Sequence, residues 1–197
     1  MNISVILAHP VQESFNHAIA NTTVTTLRDN GHQVMFHDLY AEQFDPVLPP
    51  DEISKSAALD ADIEQHCAEI SLAEGIVVIH PNWWGQPPAI LKGWIDRAIR
   101  PGVAYEFKEG DSGEGAPCGL LRVRTALVFN TSNTTEERER TVFGDPLETI
   151  WKNCVFGLCG VTNVLRRTFC VMVTSTETKR EAWLTEVREL VNSSFKQ

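Results

Sequence analysis

Three short stretches hold residue types that can do chemistry together: His9 with Ser14-Phe15-Asn16, Pro81-Asn82-Trp83-Trp84, and Phe129-Asn130-Thr131-Ser132. In the first, a hydroxyl and an amide stand where a helix begins, and the free N–H groups of a helix start favour anions. Adjacent tryptophans in the second offer broad apolar faces. The third supplies amide and hydroxyl groups for hydrogen bonding. Together they suit a flat aromatic ligand with a polar edge and an anionic tail. An isoalloxazine ring has that form, since N1, the C2 carbonyl, N3 and the C4 carbonyl need hydrogen bonds along one edge while its faces are apolar. Taken singly, the same residues also suit structural roles: His9 as a strand terminus, Ser14 as a helix cap, Trp83 and Trp84 as core.

What brings the three stretches together is an alternation of apolar runs and helical patterns from end to end, the form of repeated βαβ units around a parallel sheet. A first strand over Asn2 to Ala8 delivers His9, and a helix capped by Ser14 runs to Asn30 with Gly31 closing it. Strand two covers Gln33 to Leu39, and a proline-rich acidic loop leads to a helix over Asp60 to Leu72. Gly75 to Ile79 is a doubly buried strand stopped by Pro81; after the tryptophan pair, Pro87 and Pro88 open a helix whose Ile90, Leu91, Trp94, Ile95, Ala98 and Ile99 share one face. The span from Lys108 to Leu121 reads as an exposed glycine-rich loop, and Arg124 to Phe129 as strand four with a polar loop beyond it. Asp145, Pro146, Glu148 and Gly160 punctuate a fourth helix. Val164 to Val173 is the fifth strand, and Thr178 to Glu181 a capping box for the last helix, with Val187, Leu190 and Val191 on its apolar face. Trp94 belongs to the core by this pattern. Ligands in such sheets bind at the carboxyl edge, where all three stretches fall.

Composition narrows the function classes. At 197 residues and 43% hydrophobic content the chain suits one domain with a sizeable core. A formal charge of −9 without a basic patch argues against nucleic acid. The opening MNISVILAHP reads as a buried strand and not a leader, and no apolar run spans a bilayer. Five cysteines without a C-x-x-C pair favour reduced thiols and a cytoplasmic protein. There is no H-E-x-x-H, zinc-spaced cluster, G-x-S-x-G elbow, G-x-G-x-x-G or P-loop motif. His17, His32, His37 and His66 are scattered and read as surface or satisfied polar residues. The Glu136–Arg140 charge run reads as a solvated face.

With these residues in place, the chain resembles the flavin-dependent NAD(P)H:quinone oxidoreductases of flavodoxin-like fold, a family that includes mammalian quinone reductases and ancillary subunits of potassium-efflux systems. Three stretches carry the likeness: Ala8-His9 with Ser14-Phe15-Asn16; Leu39-Tyr40-Ala41 with Phe44-Asp45-Pro46; and Pro81, Trp84 and Pro88-Ala89-Ile90-Leu91-Lys92-Gly93-Trp94 through Ala104-Tyr105. The resemblance implies one three-layer α/β domain over residues 1–197, with a five-stranded parallel sheet in the order 2-1-3-4-5. It implies FMN, or alternatively FAD, as cofactor, with FMN favoured because no adenine pocket is evident. NADPH or NADH would be the donor and a quinone or similar small electrophile the acceptor, in ping-pong hydride transfer by a homodimer with its site at the subunit interface. By the same likeness His9, Ser14, Phe15 and Asn16 would hold the flavin phosphate and ribityl chain. Pro81, Asn82, Trp83 and Trp84 would line the isoalloxazine, and Phe129, Asn130, Thr131 and Ser132 would contact its polar edge. One departure stands out: where mammalian members carry a tyrosine and a histidine that stabilise the reduced flavin, this chain has Glu137 and Phe143 nearby. That departure keeps two alternatives open, a regulatory flavoprotein subunit of a transporter and a flavodoxin-like electron carrier.

Overall fold

The computed structural model describes residues 1–108 and 115–196. Its centre is a parallel sheet of β1 (Asn2–Leu7), β2 (Gln33–Asp38), β3 (Gly75–Pro81), β6 (Thr125–Ser132) and β7 (Val164–Cys170), ordered β2-β1-β3-β6-β7. Two short strands, β4 (Tyr105–Glu106) and β5 (Cys118–Gly119), pair apart from it as an antiparallel ribbon. Without that ribbon the order is the expected 2-1-3-4-5.

Side-chain alternation builds the three layers. Along β1, Ile3, Val5 and Leu7 enter one core, and Ile6 faces the other with Ala8 just beyond the strand. β3 and β6 are buried at every position, which is why they read as continuous apolar runs. One face is covered by α1 (Phe15–Asp29) and α6 (Glu177–Ser194), through Ile19, Leu27, Trp183 and Val187. The other is covered by α2 (Ala61–Leu72), α3 (Ala89–Ala98) and the 146–157 segment, through Ile63, Leu91, Trp94, Trp151 and Phe156. Ser14 caps α1 by accepting the His17 N–H, and Gly31 takes the φ of 77° needed beyond its end. The threonine run in α1 stays helical because Thr23, Val24, Thr26 and Leu27 are buried, so tertiary packing overrides propensity.

Several expected elements differ. The Glu136–Arg140 run belongs to a short helix, α4 (Glu136–Thr141), capped by Thr135. The helix expected from Asp145 to Gly160 is α5 (Pro146–Thr149) continued by a π-helical stretch, Ile150–Gly157. Gly157 permits the wide turn: a Cβ there would lie 2.7 Å from the Lys152 carbonyl oxygen. Asp145 makes no side-chain cap; its φ is 46° and its carboxylate accepts from Arg166 instead. β7 stops at Cys170, where Met172–Thr174 form a 3₁₀ turn tied by Ser175 and Arg180 to the Met172 carbonyl. The cap of α6 is Thr176, two residues before the expected Thr178. Residues 109–114 of the expected Lys108–Leu121 loop lie outside the described residues, and β5 occupies part of the remainder. Among the described residues no helix is long and apolar enough to cross a membrane.

Candidate functional site

The carboxyl ends of β1, β3 and β6 adjoin at the centre of the sheet, and the connection from β1 runs out to β2 on one side while that from β3 runs out to β6 on the other. This switch in direction opens a crevice. The cavity there measures about 710 Å³, within the usual range for small-ligand sites. Ten of the twelve expected residues line it: His9, Ser14, Phe15, Asn16, Pro81, Asn82, Trp83, Trp84, Thr131 and Ser132. Phe129 and Asn130 do not. β6 runs on through Ser132 and does not end at Phe129, so both residues hold ladder positions opposite Ile79 and His80. Phe129 is in the core, stacked on Phe169 at 6.2 Å, and Asn130 is fully buried below the cavity.

A tight turn presents the tryptophans. Trp83 N–H donates to the Gln86 carbonyl and Gln86 N–H to the Trp83 carbonyl, with positive φ at both central residues, Trp84 and Gly85. That is the signature of a type I′ turn, for which tryptophan is an uncommon choice. Trp84 is consequently 100% exposed and Trp83 41%. Asn82 pins the turn, its Oδ1 accepting from Gly85 N–H at 3.0 Å while its Nδ2 donates to Glu139 at 2.9 Å. Glu139 is a buried carboxylate on the cavity wall that also accepts from Ser132 Oγ at 3.2 Å, joining the ends of β3 and β6. Partial burial, with His17 nearby, holds His9 below the usual imidazole value.

Beneath the cavity lies a second polar layer. His80 is fully buried; its Nδ1 donates to the Pro81 carbonyl at 2.8 Å, and its Nε2 accepts from Trp151 Nε1 and Asn130 Nδ2, each at 2.9 Å. An indole N–H can only donate, so His80 is the neutral Nδ1–H tautomer. Burial brings its pKa down to about 4.

Comparison with known proteins places this arrangement. Residues 1–191 match the model of a family described as having a flavodoxin-like fold. A protein of Haemophilus influenzae named as an uncharacterized NAD(P)H oxidoreductase is 34% identical over 168 residues, covering 83% of this chain and 81% of the relative. NAD(P)H dehydrogenase [quinone] 1 of Rattus norvegicus is 30% identical over 122 residues, but that match covers only 52% of this chain and 44% of the rat protein. The solved structure of the NAD(P)H:quinone oxidoreductase from Methanothermobacter marburgensis superposes with a TM-score of 0.84 at 26% identity, covering 100% of this chain and 98% of that one. The chain belongs to this flavodoxin-like family of oxidoreductases.

Within the family frame, the crevice of this member is chemically suited to a flavin. Asn16 is buried on the cavity wall with an Oδ1 that has no partner, an acceptor left for a ligand to satisfy. Asn16 Nδ2 is held by Thr131 Oγ1 at 3.0 Å, so the amide is aimed and not free to turn away. Sequence reasoning missed Glu139, placing Glu137 near the site instead. Glu137 is exposed and Glu139 lines the cavity, because the Thr135 cap sets which face of α4 turns inward. Phe143, near the expected histidine position, does line the cavity.

Proposed function

We propose that this chain is a flavin-dependent NAD(P)H:quinone oxidoreductase that binds FMN, with FAD as the alternative, and works by ping-pong hydride transfer. The carrying observation is the crevice itself, which joins an apolar tryptophan wall, a polar floor and an unpartnered buried amide oxygen at one helix start. A flavin bound there would take a hydride from NADPH or NADH and pass two electrons to a quinone or similar small electrophile. His9, Ser14, Phe15 and Asn16 would hold the phosphate and ribityl chain, while Pro81, Asn82, Trp83 and Trp84 flank the ring. Thr131 and Ser132 would face its polar edge. Phe129 and Asn130 support that edge from below and do not touch it. Glu139, through Asn82, fixes the turn that carries both tryptophans.

Exposed Trp84, Val142 and Phe143 cluster at or beside the crevice mouth, which supports a homodimer that covers them. Five free cysteines support a cytoplasmic setting. Steady oxidation of NAD(P)H by flavin-loaded protein, stimulated by a soluble quinone, is the expected result. Stoichiometric flavin with no acceptor-stimulated oxidation would refute the enzymatic part and favour the regulatory or carrier readings.

A further inference from the structure

At the start of α1, a chain of polar contacts extends beyond what a helix cap requires. Ser14 Oγ lies 3.0 Å from His17 Nδ1, and His17 Nε2 lies 2.9 Å from Asp38 Oδ2. Asp38 Oδ1 in turn accepts from the backbone N–H groups of Tyr40 and Ala41, each at 3.2 Å. The His17 and Asp38 side chains are largely shielded from solvent. Ser14 and Asn16 open onto the cavity, and the Asn16 Oδ1 beside them is buried without a partner.

The hydrogens along this chain can be assigned from donor and acceptor chemistry. Ionised Asp38 has no proton to give, so His17 Nε2 must carry one. Neutral His17 then offers only a lone pair at Nδ1, and the single O–H of Ser14 must point to it. Ser14 therefore shows the crevice an oxygen lone pair, which repels an anion. With a second proton on His17 the direction reverses: Nδ1–H donates to Ser14 Oγ, and the hydroxyl hydrogen is released toward the helix start. A positive charge then stands one hydroxyl behind it, where the free N–H groups of α1 already favour an anion.

We propose that His17 is a positioning residue that takes up a proton when a phosphate dianion binds at the start of α1, with Asp38 fixing its tautomer and Ser14 relaying the hydrogen bond. The proposal rests on the flavin reading, the phosphate being that of FMN, and the proton comes from solvent. The titratable groups in contact with His17 are Asp38 from the end of β2 and His9 from the β1–α1 connection, the latter at 6.3 Å between ring centroids. Burial and the neighbouring His17 hold His9 below the usual imidazole value in the unliganded protein, and the His17 variant below tells the two histidines apart.

Calorimetric titration of FMN into flavin-free protein, at about pH 8 in buffers of differing ionisation enthalpy, tests this directly. Free imidazole is neutral and the FMN phosphate dianionic there. The expected result is uptake approaching about one proton per FMN, with affinity falling toward about tenfold per pH unit at higher pH. Riboflavin, which lacks the phosphate, should bind with no uptake. His17→Gln should bind FMN more weakly with the uptake abolished, and Asp38→Asn should shrink it; undiminished riboflavin binding shows that either crevice is intact. Buffer-independent FMN heats in the wild type, or uptake that persists in His17→Gln, would overturn the role of His17. Failure of the wild type to bind FMN or riboflavin would instead overturn the flavin reading, and this proposal with it.

Discussion

Trp84 stands on a left-handed backbone, φ 59°, with its whole side chain in solvent. A non-glycine residue in that region costs about 1–2 kcal/mol, while glycine would cost up to about 1 kcal/mol in chain entropy. Trp84→Gly should therefore leave unfolding stability unchanged or slightly raised while weakening flavin retention on the order of tenfold, the scale of one aromatic contact with its buried area. Denaturant unfolding and flavin titration of the same variant check both halves. A marked loss of stability with unchanged flavin affinity would make Trp84 a packing residue. The sequence could place Trp83 and Trp84 in a loop because glycine, proline and strand punctuation surround them. It could not reveal Glu139, because a carboxylate among four other charged residues looks solvated until a cap fixes which face turns inward.

At the scale of elements, two internal contacts fix how neighbouring elements pack. Gly93 in α3 lies under the Asp45–Pro46 loop, and a Cβ there would come within 2.2 Å of the Pro46 carbonyl oxygen. Alanine gains about 1 kcal/mol of helix propensity, but overpacking against backbone costs about 1–3 kcal/mol, so Gly93→Ala should destabilise on balance. A rise in unfolding midpoint would show that the loop yields freely. The other is the burial of neutral His80 between β3, β6 and the π-helical turn. Its folded pKa, about 4, is below the ordinary imidazole value, so its contribution to stability is complete above about pH 6.5 and lost as the pH falls toward 4. At pH 5 this amounts to about 2 kcal/mol, at 1.36 kcal/mol per unit. Urea midpoints that stay flat from pH 7 to 5 would contradict a neutral, buried His80. The apolar runs and caps made the main strands and most helices legible. They carried no information on the pitch of the turn after α5, since Pro146 and Gly160 mark the limits of a helix and not its hydrogen-bond spacing. The same blindness placed the end of β6 at Phe129: polar residues after an apolar run look like loop, yet Asn130 to Ser132 stay in the ladder because His80, Arg166, Asn16 and Glu139 satisfy their side chains.

For the molecule as a whole, the doubly wound order was recoverable because each strand is followed by a helix of sufficient length, and right-handed crossovers leave few arrangements. The carboxyl edge then collects three stretches distant in sequence, with Asn16 bonded to Thr131 across 115 positions. The formal charge of −9 argues against a polyanionic macromolecule as partner, and the crevice has the size of a small-molecule site. Every role proposed for these residues requires that the crevice hold a flavin. Purified protein, incubated with FMN and freed of unbound ligand, should show the visible absorption of a bound flavin at about one per chain, and heat should release a molecule of the mass of FMN. Protein that stays colourless after incubation with FMN and with FAD, while folded by circular dichroism, would contradict it.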